Sequence, residues 1–133
     1  MLKFTEEKIF TKEQVRELFL SVGWKSGEYP QKLYKALMNS QTVLTVWDDA
    51  RLVGLIRVLD DSEMLAQIHY VLVHPEYQGR GIAGRMVEYI KEKYKNFMYL
   101  ELMPEDKNNV PFYEKHGFHV MENGAAMQIC NIN

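Results

Sequence analysis

A single cysteine, Cys130, is all the thiol this 133-residue sequence holds. No disulfide can close within the chain, which fits a reducing compartment, the cytoplasm. In the run Met127-Gln128-Ile129-Cys130 the thiol reads as a buried small hydrophobe rather than a nucleophile. An excess of charge is also missing: 16 Lys and Arg face 18 Asp and Glu, for a net charge of -2. No basic field therefore draws the chain to nucleic acid or to an anionic membrane. The cluster Lys91 to Lys95, broken by Glu92 and Tyr94, reads as a solvated helix face. Apolar runs stop far short of the roughly 20 residues of a membrane span. The charged start, Met1 to Lys8, does not match a signal peptide. His69, His74, His116 and His119 are too scattered to suggest a metal site, and the last three read as turn or surface residues. What remains is 47% hydrophobic and 12% aromatic, enough for one folded domain over 1–133.

The periodicity then divides the chain. Thr11-Lys12-Glu13-Gln14 is a capping box, followed by Val15, Leu18, Phe19 and Val22 at helical spacing and by Gly23 as the stop. After a loop over 24–29, Pro30 opens a second helix with Leu33, Tyr34, Leu37 and Met38 as its apolar face. Strands are expected over 42–47, 52–58 and 66–73, joined by Asp-rich turns. A long helix over about 81–95 should bury Ile82, Met86, Val87, Ile90 and Tyr94. A fourth strand over 97–102, a short helix over 110–116 and two short strands near 118–120 and 127–130 complete the order α-α-β-β-β-α-β-α-β-β. The class is mixed α/β. Its early strands form an antiparallel meander, and the third and fourth are parallel because a helix crosses between them.

The segment Gln78-Gly79-Arg80-Gly81-Ile82-Ala83-Gly84 joins the third strand to the long helix. Glycines there let backbone N–H groups approach a ligand, and a helix start favours anions. As G-x-G-x-x-G it suggests a dinucleotide-dependent oxidoreductase, with Glu101 at the end of the next strand as the ribose-binding acid. Five residues, 74–78, separate Val73 from the first glycine, where that fingerprint needs a tight turn. Too little chain follows Glu101 for the further βαβ units of such a site. No Lys-Ser or Lys-Thr follows the glycines, so a Walker loop is excluded.

The wider run Val71-Leu72-Val73-His74-Pro75-Glu76-Tyr77-Gln78-Gly79-Arg80-Gly81-Ile82-Ala83 resembles the central signature of the GNAT N-acetyltransferase superfamily. Val110-Pro111-Phe112-Tyr113-Glu114-Lys115-His116-Gly117-Phe118 resembles that family's late helix, with tyrosine four residues before Gly-Phe. The amino-terminal half is similar to small bacterial members and to plant arylalkylamine acetyltransferase-like proteins. The resemblance implies the GNAT fold, acetyl-CoA as co-substrate and direct acetyl transfer to a primary amine, with no metal. It also implies a small-molecule acceptor, and a homodimer is common in the family. The alternative on the same fold is a non-catalytic acyl-CoA-binding or interaction module.

Residue roles follow from the same resemblance. The amides of Gln78, Gly79, Arg80, Gly81, Ile82, Ala83 and Gly84 hold the pyrophosphate, and the backbones of Leu72 and Val73 hold the pantetheine arm. The Val73 amide polarises the thioester carbonyl. Tyr113 protonates the departing thiolate. Many members carry asparagine where this chain has Asp106, and Asn109 is the nearby residue taken to contact the cofactor arm. From the residues themselves, His69, Glu101 and an ordered water remain as alternatives for the base. Strand alternation sets His69 on the face of Gln67 and Val71, opposite Tyr70. Trp24 and Tyr29 are the aromatics that would line an acceptor pocket.

Overall fold

Thr11 starts the first helix as its sequence predicts. In a computed structural model describing residues 1–132, the Thr11 hydroxyl accepts the Gln14 N–H at 3.1 Å, and the Gln14 side chain accepts the Thr11 N–H at 2.9 Å. The box satisfies donors that a helix start otherwise leaves open. Helix α1 (Lys12–Ser21) stops at Gly23, whose φ of +73° lets the N–H groups of Gly23 and Trp24 turn back to the Leu20 and Phe19 carbonyls. A short 3₁₀ turn, Lys25–Glu28, leads to α2 (Pro30–Met38). Leu33 and Leu37 of α2 are buried and Tyr34 is half-buried, but Met38 is exposed. The apolar stripe is thus one residue narrower than its spacing suggested.

The sheet has five strands in the order β1-β2-β3-β4-β5: β1 (Leu2–Thr5), β2 (Thr42–Asp48), β3 (Arg51–Asp60), β4 (Leu65–Val73) and β5 (Tyr99–Leu102). Neighbours are antiparallel except β4 and β5, which run parallel across the expected helical crossover, α3 (Ile82–Lys93). β1 has no advance sign in the sequence; it exists through its pairing with residues 45–48 of β2. One sheet face meets α1 and α2 over a core that includes Phe19, Leu37, Leu55 and Leu72. The other meets α3, whose Ile82, Met86, Val87 and Ile90 are buried, followed by the buried Tyr94. Gly54 makes that contact close: a Cβ there would lie 3.3 Å from Val46 Cβ and 3.4 Å from Ile82 Cγ2. The Tyr94 hydroxyl is shared between Thr42 Oγ1 at 2.7 Å and Asp60 Oδ2 at 2.6 Å, locking the end of α3 to the sheet.

These elements make one compact unit, Met1–Leu102; a second begins at Met103. The second contains a 3₁₀ turn (Lys107–Asn109) and α4 (Val110–Lys115). The strands expected near 118–120 and 127–130 do not form among the described residues. Met127 and Ile129 are about nine-tenths exposed (92% and 90%), and Cys130 is exposed rather than buried. Alternating apolar residues confer only a tendency; a strand needs a ladder partner, and none pairs with this segment.

Candidate active site

The site begins with one extra residue. Ile56 of β3 pairs with Val71 and Arg57 pairs with His69, so Tyr70 is a β-bulge with φ of +76°. That conformation is costly for a non-glycine residue and needs support from its surroundings. Support comes from packing. The Tyr70 ring meets Phe19 edge-on at 4.9 Å and lies 5.6 Å from Trp24, while its hydroxyl bonds Ser26 Oγ at 2.5 Å. The bulge also breaks the two-residue alternation. His69 shares the α1/α2 face with Arg57, whereas Val71 shares the opposite face with Ile56. The expectation that His69 and Val71 lie on one face is therefore corrected, and His69 and Tyr70 stand side by side on the α1/α2 face.

The bulge lies where β4 leaves β5. Their pairing ends at Ile68 and Leu102, so β4 beyond that point is bonded on its β3 side alone. The His74 N–H donates to the Val53 carbonyl at 2.8 Å. By alternation, the backbone groups of Leu72 also point to β3, and those of Val71 and Val73 point to the open side. The Val73 carbonyl there accepts the Gln78 side-chain N–H at 3.0 Å. This ties the loop back to the strand end and gives Gln78 a side-chain role that its place in the motif did not reveal. By the same alternation the Val73 N–H faces that open side.

From this anchor the chain passes through Gly79 and Gly81, at φ of +82° and +79°, into α3. Gly81 is the helix cap in the left-handed region, and no side chain caps the helix. Among the described residues, no acceptor is recorded for the N–H groups of Gly79 to Gly84; the first helical bond runs from Arg85 to Gly81. A Cβ at Gly79 or Gly81 would meet nothing within 4 Å, so the space before these amides is open. No acid sits in the first turn. The cradle suits an anion. Arg80 does not reach into it: its guanidinium lies over the Tyr77 ring at 4.7 Å and donates to the Glu76 carbonyl. Tyr77 is buried, and its hydroxyl donates to Asp48, fixing the loop to β2.

On the α1/α2 face a polar strip runs across β3 and β4. Arg57 Nη1 donates to His69 Nδ1 at 2.7 Å, and Arg57 Nε donates to Ser40 Oγ at 2.9 Å. Burial pulls the Arg57 guanidinium below its ordinary pKa. His69 is solvent-exposed at one side, yet burial and then the Arg57 charge hold its pKa below 6.5. A neutral imidazole that accepts at Nδ1 carries its proton on Nε2. His69 thus presents a donor to solvent and spends its one lone pair on Arg57. The register Gln67 to Glu101 puts the half-buried Glu101 on this same face. Trp24 is half-buried against Phe19 and Tyr70, while Tyr29, between the 3₁₀ turn and α2, is 39% exposed. Sequence reasoning missed Arg57 and Tyr70. Arg57 carried a signal, a lone cation between Ile56 and Val58 in an apolar strand; the bulge carried none.

In the second unit, α4 ends at Gly117, with φ of +92°, and the Phe118 N–H returns to the Tyr113 carbonyl at 3.1 Å. The Phe118 ring meets Tyr113 edge-on at 6.0 Å, which explains the Tyr-x-x-x-Gly-Phe spacing. Tyr113 is half-buried, and burial pushes its phenol above the ordinary value of 10. Asp106 caps the preceding 3₁₀ turn by accepting the Asn108 N–H at 2.8 Å, and Asn109 stands at the start of α4. No group of three or more His, Cys, Asp or Glu suited to a metal occurs among the described residues, and no helix is long and apolar enough to cross a membrane.

Comparison with known proteins adds to this geometry. The family model described as "Acetyltransferase (GNAT) family" matches residues 9–118. An uncharacterized N-acetyltransferase (ycf52-like) of Prochlorococcus marinus is 28% identical over 126 residues, covering 91% of this chain and 69% of its own length. An uncharacterized N-acetyltransferase of Pyropia yezoensis is 30% identical over 111 residues; the match spans 79% of this chain and only 63% of that relative. Among solved structures, a Staphylococcus aureus protein of unknown function is 30% identical with a TM-score of 0.84, covering 98% of this chain and 99% of its own. A GNAT family acetyltransferase of Streptococcus pneumoniae is 27% identical with a TM-score of 0.81, covering 100% of this chain and 98% of its own.

Proposed function

The chain belongs to the GNAT acetyltransferase family, and on that premise we propose that it moves an acetyl group from acetyl-CoA to the primary amine of a small cytoplasmic molecule. The family model runs from the first compact unit into the second, as far as residue 118, which supports reading 1–133 as a single acetyltransferase domain. The observation that carries the donor assignment is the run of unclaimed amides from Gly79 to Gly84, set beside the open side of β4. Acetyl-CoA supplies the thioester. The chain's part is to bind its pyrophosphate at the start of α3 and to offer the Val73 N–H to the thioester carbonyl. Tyr113 takes the proton-donor role on the family's pattern. The acceptor approaches the α1/α2 face, where Glu101 or a water removes its proton; His69, with its lone pair committed to Arg57, enters as a donor. The balanced charge of the chain favours a small acceptor over nucleic acid.

Thermal melting with acetyl-CoA and, separately, with NADH tests the reading. Acetyl-CoA is expected to raise the melting temperature, and an amine panel to release free thiol. Stabilisation by NADH alone overturns it. Gly81→Ala sharpens the test. The left-handed cap costs a side chain about 1–2 kcal/mol, although a Cβ there would meet no neighbour within 4 Å. Acetyl-CoA affinity should fall by roughly 10-fold or more, since relief of the strained cap shifts the amides that face the anion. Titration of the variant with acetyl-CoA checks this, and unchanged affinity removes the loop from the cofactor site.

A further inference from the structure

Arg57 is a half-buried cation without an acid. Its recorded partners are Ser40 Oγ, His69 Nδ1 and the face of the Tyr70 ring at 5.7 Å, all of them neutral. No carboxylate pairs with it among the described residues, where Lys25, Arg51, Lys91, Lys93 and Lys95 each pair with a glutamate. A guanidinium withdrawn from water without a counter-ion is costly, and proteins ordinarily supply one. Its Nη2 has no recorded partner. Beside it, the Nε2–H of His69 is a second donor on the same face. Both stand at the bulge, the point where β4 opens, and not at the phosphate cradle at the start of α3.

We propose that Arg57 and His69 hold the carboxylate of the acceptor, so that the substrate class is amino carboxylates. This rests on the acetyltransferase reading above and narrows it. One guanidinium and one neutral imidazole carry a single positive charge and two outward N–H groups, which matches a carboxylate's charge and pair of oxygens. A phosphate dianion would leave charge and oxygens unmet. Ser40, itself buried just after α2, holds the guanidinium by accepting from Arg57 Nε, and the guanidinium carbon lies 5.7 Å from the Tyr70 ring centroid. Glu101, on the same face across β4, suits the ammonium end of such a molecule.

The test uses matched acceptors on the whole chain: the common L-amino acids against their carboxamides, and glucosamine 6-phosphate against glucosamine. Thiol release should favour the carboxylate member of the productive pair. Arg57→Gln should raise KM for that acceptor by about 10- to 100-fold, the size of a lost charged hydrogen bond, and leave kcat and the KM for acetyl-CoA nearly unchanged. The carboxamide should be indifferent to the substitution, and Arg57→Lys should restore part of the preference. A merely structural role would shift both members of a pair alike, and that result overturns the proposal. So does a preference confined to the phosphate pair. If no amine releases thiol, the acetyltransferase reading fails, and calorimetric titration of the same pairs decides the second question alone. Carboxylate-selective binding lost in Arg57→Gln upholds the anion site; its absence from the wild type overturns it.

Discussion

Tyr113→Phe is expected to lower turnover about 100-fold or more while acetyl-CoA affinity stays within about twofold, the signature of a lost proton donor. When an amine displaces the acetyl group from sulfur, the departing thiolate needs a proton, and a phenol is suited to give it. Loss of one oxygen should leave the fold intact, because the Tyr113 ring contacts, edge-on to Phe112 at 5.0 Å and to Phe118 at 6.0 Å, do not use the hydroxyl. Burial raises the phenol's pKa, so its proton is present across the working range and is lost only above the ordinary value of 10. The deficit of the variant should therefore be level from about pH 6 to 9, with any acid-requiring fall of the wild type lying beyond. Steady-state rates over that range provide the check. Turnover equal to wild type at every pH removes the role from Tyr113.

The second large effect concerns stability. Phe19→Ala should cost about 3–5 kcal/mol, a large part of the roughly 5–15 kcal/mol that holds a domain of this kind. Phe19 is fully buried. Its ring backs both Trp24 and Tyr70, so the cavity would open directly behind the bulge. Denaturant unfolding measures the loss. Acceptor KM, measured under conditions where the variant is folded, should rise along with it, because Tyr70 would lose the support that keeps it in a left-handed conformation. Phe19→Leu should recover much of both. A cost below about 1 kcal/mol would show that the site collapses around the gap and that the bulge is held by other means.

Local rules made much of this legible. The capping box at Thr11, the glycine stops at Gly23 and Gly117, the proline start at Pro30 and the glycine run before α3 each follow from the conformations those residues permit. Each stands where expected. The acetyltransferase family was also readable, because the run from Val71 to Ala83 and the block from Val110 to Phe118 resemble that family's two motifs. The antiparallel meander and the parallel crossover were legible too; what pairing decides at the two ends of the chain was not. β1 arises from β2, and residues 119–132 lack a ladder. Tyr70 is the costliest omission. A bulge adds one residue and no compositional mark, yet every side-chain direction beyond it reverses, and the inferred neighbours of His69 reversed with it.

The parallel join between β4 and β5 also bears on how the molecule is born. β2, β3 and β4 are consecutive hairpin partners that short turns can bring together. The last strand reaches its neighbour only after α3 has been threaded between them, with Ile68 meeting Leu102. Closing a long segment is slower than closing a turn. The three-strand meander β2-β3-β4 is therefore expected to form ahead of the β4–β5 pair, and with it ahead of the point where those two strands part.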